Sequence, residues 1–313
     1  MTNKYLAYGI PIISSVELPA FVEYSDEIIT KPIYISQGKV PNTLQNPALE
    51  EKPFSSFNEN ELLYTVPNVA RYYIRNGEQI IIESLEGDWS EILLFFYSNC
   101  MAAALFQRDL IPFHVSGVFV NENKVLLFAA PSRTGKSTTS VMLQQKGYAP
   151  FTDDTAVLYV VDGKCFAQAS YPMIRLWQNS ITQQTVLAEN KKQSIITNIE
   201  IDKYGFVFHQ QFVTEKVEVA GIVFLEEEGN EIQIQKNKLN LAIEHLGNNI
   251  YRKQWINGMK KHILQFKQLT SIMNAVPTWH ATRPKAQATF ESFADAIEQQ
   301  IIEQINNYEL ADK

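Results

Sequence analysis

The chain of 313 residues is short of cysteine, short of positive charge and without a long unbroken apolar run. Each shortage excludes something. Two cysteines, Cys100 and Cys165, cannot build a disulfide framework or a zinc cage. Cys100 sits in a very apolar segment and Cys165 in a strand-like one, so both read as reduced structural thiols of a cytosolic protein. Lys and Arg total 27 against 34 Asp and Glu, a formal net charge of −7. Binding nucleic acid requires clustered positive charge, so this balance argues against a general nucleic-acid partner. It leaves room for a small basic pocket around one phosphorylated ligand. The longest apolar stretch, Ile92 to Phe106, is interrupted by Ser98 and Asn99. It falls short of the ~20 residues a membrane span needs and reads as a buried helix. Asp88 is its expected N-cap, with Glu91 completing a capping box. The first five residues lack a basic-then-apolar signal pattern, so no membrane span and a cytoplasmic location are expected.

What is present is the composition of a folded protein: 45% apolar and 19% charged residues. The length allows one large domain or two smaller ones. Up to residue 87, short β-like runs dominate: Ile33–Ile35, Ala70–Ile74 and Gln79–Ile82, the last two forming a hairpin around Asn76-Gly77. Residues 37–60, rich in Pro, Asn, Ser and Gln, read as a loop or mobile excursion. After a helix at about 89–107 the texture changes. Strands are expected at His114–Val120, Lys124–Ala130, Thr155–Val161 and Val217–Leu225, with helices at roughly 238–247, 252–274 and 286–308. Strands alternating with helices predict an α/β domain over 109–313, behind a smaller β-rich domain over 1–108.

The most informative segment is Ala130-Pro131-Ser132-Arg133-Thr134-Gly135-Lys136-Ser137-Thr138, between an apolar strand and a helix-compatible run. A loop that wraps a polyphosphate turns its N–H groups inward, and Gly135 permits close approach. The following helix N-terminus offers free N–H groups and a positive dipole end. In such a loop the lysine, here Lys136, neutralises β/γ-phosphate charge, and the next hydroxyl, Ser137, ligates Mg²⁺. The usual pattern has a glycine six positions before the lysine; Ala130 stands there. Soon after comes Asp153-Asp154, at the start of the expected strand Thr155–Val161. Neighbouring residues on a strand point to opposite faces, so one carboxylate can face a metal and the other an acceptor; a solvated turn is the plain alternative.

In that order, His114, strand, Gly135-Lys136-Ser137-Thr138, helix, Asp153-Asp154, the sequence resembles the catalytic domain of HPr kinase/phosphorylase. ATP-dependent phosphoenolpyruvate carboxykinase shares that P-loop core more distantly. The flanking segments Tyr8-Gly9-Ile10, Tyr171–Trp177, Val219–Leu225 and Val276–Trp279 are most similar to stand-alone HPr-kinase-like serine kinases. Those include kinases associated with lasso peptides and other ribosomally made peptides. The resemblance covers most of 109–313 and implies a mixed sheet around the P-loop core. It implies ATP and Mg²⁺ as cofactors, with Ser132, Arg133, Thr134, Gly135, Lys136, Ser137 and Thr138 around the triphosphate. It further implies Ser137 and Asp154 at the metal, Asp153 as general base, and His114 beside Asp153. Arg175, a charge in a strand-like Ile-Arg-Leu-Trp run, is a candidate for the substrate, with a structural ion pair as the alternative.

The resemblance implies a hydroxyl acceptor on a peptide or small molecule, with a ribosomally made precursor peptide as the most concrete example, and a homo-oligomer as in HPr kinases. Three departures speak against HPr itself as acceptor and against the reverse reaction: Ala130, Thr138 where an acidic residue is usual, and no copy of the downstream glycine-rich signature. A nucleotide-binding regulator without transfer activity is the rival reading. Asp153 and Asp154 weigh against it, because binding alone needs no base.

Overall fold

The computed structural model describes residues 2–25, 30–132, 134–177, 196–198, 203–207, 212–285 and 289–311. It is a mixed α/β protein with two large mixed sheets and one small one. The first large sheet takes nine strands from the N-terminal part, in the spatial order Val22–Glu23, Asn3–Ala7, Ile10–Ser14, Ile33–Gln37, Gln79–Ser84, Ala70–Arg75, Glu61–Val66, Ser55–Phe57, Glu50–Lys52. The Asn76-Gly77 turn forms as the sequence predicts, with φ of +56° and +61°. The side chain of Gln107 and the carbonyl of Gly77 hold it against the end of the buried helix, through Gln107 and Arg108. The excursion at 37–60 is not merely loop. Its end forms the hairpin Glu50–Lys52/Ser55–Phe57, which composition alone concealed.

The apolar segment forms one helical run, Trp89–Gln107. Asp88 caps it by accepting from the N–H groups of Ser90 and Glu91. A π-helical turn, Phe96–Cys100, interrupts the α-helical geometry where Ser98 donates to the carbonyl of Leu94. The run is long and apolar enough to cross a membrane by length and composition, but its Met101–Phe106 face is wholly enclosed by the protein. Cys100 and Cys165 are both free and buried, and burial pushes the Cys165 thiol up to about 12.

The second large sheet carries the loop. Its centre is three parallel strands, Lys124–Ala129, Val217–Glu227 and Thr278–Arg283. Alternation along the first of these sorts the core. Val125, Leu127 and Ala129 face the cluster shared with the N-terminal sheet and the buried helix. Leu126, Phe128 and Ala130 face a second cluster with Leu143 of the loop helix and Phe293, Ile297 and Ile301 of the C-terminal helical run. That run, Phe290–Ile297 followed by a π-helical turn and Glu303–Ala311, locks the loop helix Lys136–Gln145 from outside. Lys146 pairs with both Asp295 and Glu298, at 2.6 and 2.7 Å.

One sequence-based boundary needs correction. The expected helix over 252–274 begins only at His262 and runs to Ala275. Before it lie a short 3₁₀ turn and two residues in the left-handed region, Arg252 and Lys260. Gly258 there packs so closely on Phe57 and Glu50 that a Cβ would clash at 2.5 Å. The expected strands His114–Val120 and Thr155–Val161 form as Val115–Phe119 and Ala156–Val161, and each has a short paired stretch before it in the chain. Pro112–Phe113 pairs with Ala156–Val157, and Val115–Phe119 pairs with Pro150–Thr152. Three residues on each chain separate the paired stretches, so the two chains run as one antiparallel ribbon with a gap in its ladder. The upper half of the ribbon joins the Lys124–Ala129 strand. The lower half joins Lys164–Ala169, which returns to Val217–Glu227. Pairing therefore comes full circle, and the gap holds His114 on one chain and Asp153-Asp154 on the other.

Candidate active site

The loop leaves the Lys124–Ala129 strand at a buried Ala130, whose φ is negative like that of any ordinary residue. The missing first glycine is thus no obstacle, because no left-handed backbone is required there. Gly135 is different. Its φ is +105°, and a Cβ would meet the ring of Phe290 at 2.6 Å. It serves as the N-cap of the loop helix without a side-chain cap, so the first N–H groups of that helix are not taken by a capping side chain.

Lys136 is buried, and its ammonium donates to the carbonyls of Ala130 at 2.7 Å and Pro131 at 3.3 Å. The side chain thus folds back under its own loop. Ser137 donates its hydroxyl to Asp153 Oδ1 at 2.7 Å. Asp153 is buried. Asp154 has φ of +80°, which a short polar side chain tolerates better than a bulky or β-branched one. His114 Nε2 lies 3.8 Å from Asp154 Oδ1. The His114 N–H donates to the carbonyl of Asn249, and its ring stands 6.0 Å from that of Tyr251. Loop lysine, loop hydroxyl, two carboxylates and a histidine therefore converge from three separate stretches of chain.

One sequence-based placement changes. The two aspartates do not begin a strand; they fill the gap between Pro150–Thr152 and Ala156–Val161, where pairing with the 112–119 chain is interrupted. His114 comes to Asp154, and the loop hydroxyl comes to Asp153. Ser132 is exposed, Thr134 half-buried and Thr138 buried in the first turn of the helix. Arg133 lies outside the described residues. Arg175 is on the strand Met173–Trp177 of the small third sheet, and its side chain lies outside the described residues.

Two residues had no role in the sequence reading, although Tyr8 belongs to one of the segments that carry the resemblance. Arg283, at the end of the third parallel strand, is buried and pairs with Glu227. Its guanidinium lies 3.9 Å from the centroid of the Phe290 ring and donates to the carbonyl of Thr134 in the loop. It thus ties the loop to the Thr278–Arg283 strand, two strands away from the one that carries the loop, and no local pattern marks it. Tyr8, at φ of +54° in the first hairpin, is buried with its hydroxyl 2.6 Å from Thr155 Oγ1. Burial pushes the Tyr8 phenol well up, so it stays protonated. It brings the N-terminal sheet to the residue next to Asp154.

The donor set suits a hard cation partly held by phosphate. Mg²⁺ typically takes one or two protein oxygens and fills its octahedron with water and phosphate oxygens. A hydroxyl and a carboxylate already in contact match that demand. Among the described residues no cluster of three or more His, Cys, Asp or Glu side chains could hold a metal without such help.

No family model matches the chain, and no curated protein does. Among solved structures it is similar to the HPr(Ser) kinase/phosphatase from Coxiella burnetii. The identity is 12% and the TM-score 0.31, over 64% of this chain and 97% of that one. A superposition so loose assigns no role to any residue.

Proposed function

We propose that the protein is an ATP- and Mg²⁺-dependent phosphotransferase of the HPr-kinase-like kind. It moves the γ-phosphoryl group to a hydroxyl, with serine on a peptide or a small hydroxyl compound as the acceptor class. A ribosomally made precursor peptide is the example that the resemblance favours. Residues 109–313 are the catalytic part and 1–108 the accessory part. The observation that carries this reading is the contact of the loop hydroxyl with a buried carboxylate, Ser137 to Asp153, at the head of the loop helix.

Phosphoryl transfer asks mainly for positioning and charge neutralisation. The backbone of 132–138, the helix N-terminus and Lys136 hold the triphosphate. Bound Mg²⁺ supplies neutralisation of the β- and γ-phosphate oxygens. The contacts favour Ser137 with Asp153 on the metal side and Asp154 with His114 on the acceptor side, the reverse of the allotment implied by resemblance. As the acceptor oxygen bonds to the γ-phosphorus, the bond from phosphorus to the β–γ bridging oxygen breaks. ADP leaves with that electron pair, and the hydroxyl proton passes to the acceptor-side carboxylate.

Transfer of labelled γ-phosphate to serine peptides and small hydroxyl compounds tests the reading. Asp153→Asn and Asp154→Asn are each expected to lower transfer by about 10²- to 10⁴-fold. Asp153→Asn should also raise the Mg²⁺ concentration needed for half-maximal rate, and Asp154→Asn should not. The opposite pattern restores the allotment from resemblance. Equal ATP binding by all three proteins with no transfer by any would establish a nucleotide-binding regulator instead.

A further inference from the structure

The first hairpin of the chain has an unusual residue at its turn. Asn3–Ala7 and Ile10–Ser14 pair as far as Ala7 with Ile10, so Tyr8 and Gly9 alone make the turn. Both have positive φ, +54° and +67°. Two-residue turns of that hand favour Asn-Gly, whose side chains enter the left-handed region at little cost. The same sheet uses Asn76-Gly77 at another turn, with φ of +56° and +61°. A bulky aromatic side chain is disfavoured in that region. Tyr8 nevertheless occupies it, and does so buried. The turn alone does not account for a tyrosine there; what the side chain reaches does.

Its hydrogen bonds cross to the second part of the molecule. The Tyr8 N–H donates to the carbonyl of Ser170 at 2.9 Å, and its hydroxyl lies 2.6 Å from Thr155 Oγ1. Its ring meets Tyr171 edge-on at 6.4 Å, and Tyr171 packs on Phe21 and Tyr97. Gly9 beside it presses on Gln168, where a Cβ would stand 2.8 Å from the side-chain oxygen. The far end of the bond is as firmly placed. Thr155 is buried, and its carbonyl accepts from the Thr152 hydroxyl at 2.9 Å. That second bond closes a turn whose two middle residues are Asp153 and Asp154. Asp154 has φ of +80°, a conformation that persists only where the surroundings enforce it. The sheet does not enforce it, since pairing with the 112–119 chain is interrupted there. Tyr8 supports the turn from the N-terminal part. Burial keeps its phenol protonated, so the support adds no charge beside the two carboxylates.

We infer that Tyr8 is a positioning residue: through Thr155 it fixes the turn that carries Asp153 and Asp154, and so ties the N-terminal part to the phosphoryl-transfer step. The bond between the two hydroxyls holds Thr155. The bond from Thr152 to the Thr155 carbonyl passes that restraint round the turn. The acceptor-side carboxylate is then held at one angle to the loop. Misplacement of a reacting group by about 1 Å can cost ~10²-fold in rate. The grip on ATP does not depend on this brace: Lys136 is held by its own loop, and Asp153 is tied separately to Ser137. The inference rests on the kinase reading for the chemistry that Asp154 performs, but the brace itself does not.

The test has two arms on the full-length protein. The first needs no activity: amide hydrogen exchange is compared in wild type, Tyr8→Phe and Thr155→Val, each of which removes one hydroxyl and keeps the bulk of the side chain. Exchange over 153–155 should quicken at least about tenfold in both variants, with the Lys124–Ala129 strand unchanged. Unchanged exchange over 153–155 overturns the inference whatever the enzyme does. The second arm measures transfer to the serine peptide or small hydroxyl compound that the wild type uses best. In each single variant kcat should fall at least about tenfold, with the KM for ATP unchanged. The double variant Tyr8→Phe/Thr155→Val strands neither hydroxyl, so it should regain the denaturant midpoint that the single variants lose and keep their low kcat. Transfer that returns together with stability would reduce the pair to a structural bond and contradict the inference. So would a wild-type kcat in the single variants, or a KM for ATP that rises as kcat falls. Quicker exchange without any transfer by the wild type would keep the brace and sink the kinase.

Discussion

Two buried acidic centres of this molecule invite comparison. In the N-terminal sheet, Glu61 accepts from the N–H of Gln45 at 2.9 Å and of Asn46 at 3.0 Å, from the Asn46 and Asn58 amides, and from the Tyr73 hydroxyl at 2.5 Å. In the second sheet, Asp153 meets the loop hydroxyl and Asp154 meets a histidine. Glu61 draws its donors from nearby chain, mostly neutral amides fixed by the turns they belong to. Asp153 and Asp154 draw on groups that change partners readily: a hydroxyl that can rotate towards a metal and an imidazole that can move a proton. A carboxylate wrapped in fixed amides secures a loop. One that faces labile groups at the head of a phosphate loop is suited to chemistry.

The comparison can be broken first at Arg283, which couples loop to sheet. Arg283→Met strands Glu227 and frees Thr134, and should cost about 3 kcal/mol in denaturant unfolding. It should also weaken ATP binding, because the loop loses its tether. Unchanged ATP affinity in a destabilised protein would reduce Arg283 to a structural ion pair.

The smaller effect lies at Glu61. Burial pushes its carboxyl up, but the hydrogen bonds from Tyr73, Gln45, Asn46 and Asn58 outweigh that and hold it at about 2, against an ordinary 4.5. The fold is favoured by this difference at every pH above 4.5, by roughly 3 kcal/mol, and the advantage fades as the pH falls to 2. Glu61→Gln should cost about 2 kcal/mol at pH 7 and flatten the loss of stability between pH 4.5 and 2. An unaltered acid limb in the variant would remove Glu61 from this role. Transfer activity at pH 7, where the variant stays folded, should not change.

The same contrast explains what could be read from the sequence. The phosphate loop, its helix and the Asp153-Asp154 pair are local patterns: residue types fixed at short spacing by the strand before and the helix after. The hairpin at Asn76-Gly77 and the Asp88 cap were legible for the same reason. What failed was non-local. The gap that brings His114 to Asp154 arises because the sheet pairing comes full circle, which no window of sequence contains. Arg283 reaches the loop from 149 positions away, and Tyr8 reaches Thr155 from 147. The helix expected from residue 252 was misread because its apolar positions suit a helix, while tertiary contact at Gly258 requires a turn.

The central claim is that the 132–138 loop holds a nucleoside triphosphate with Mg²⁺. Calorimetric titration of wild type and Lys136→Met with ATP in the presence of Mg²⁺ tests it most directly. Wild type should bind one equivalent, with affinity lost on removal of Mg²⁺, and Lys136→Met should bind at least about 10²-fold more weakly while keeping its fold by circular dichroism. Equal binding by the two proteins would contradict the claim and place any nucleotide elsewhere.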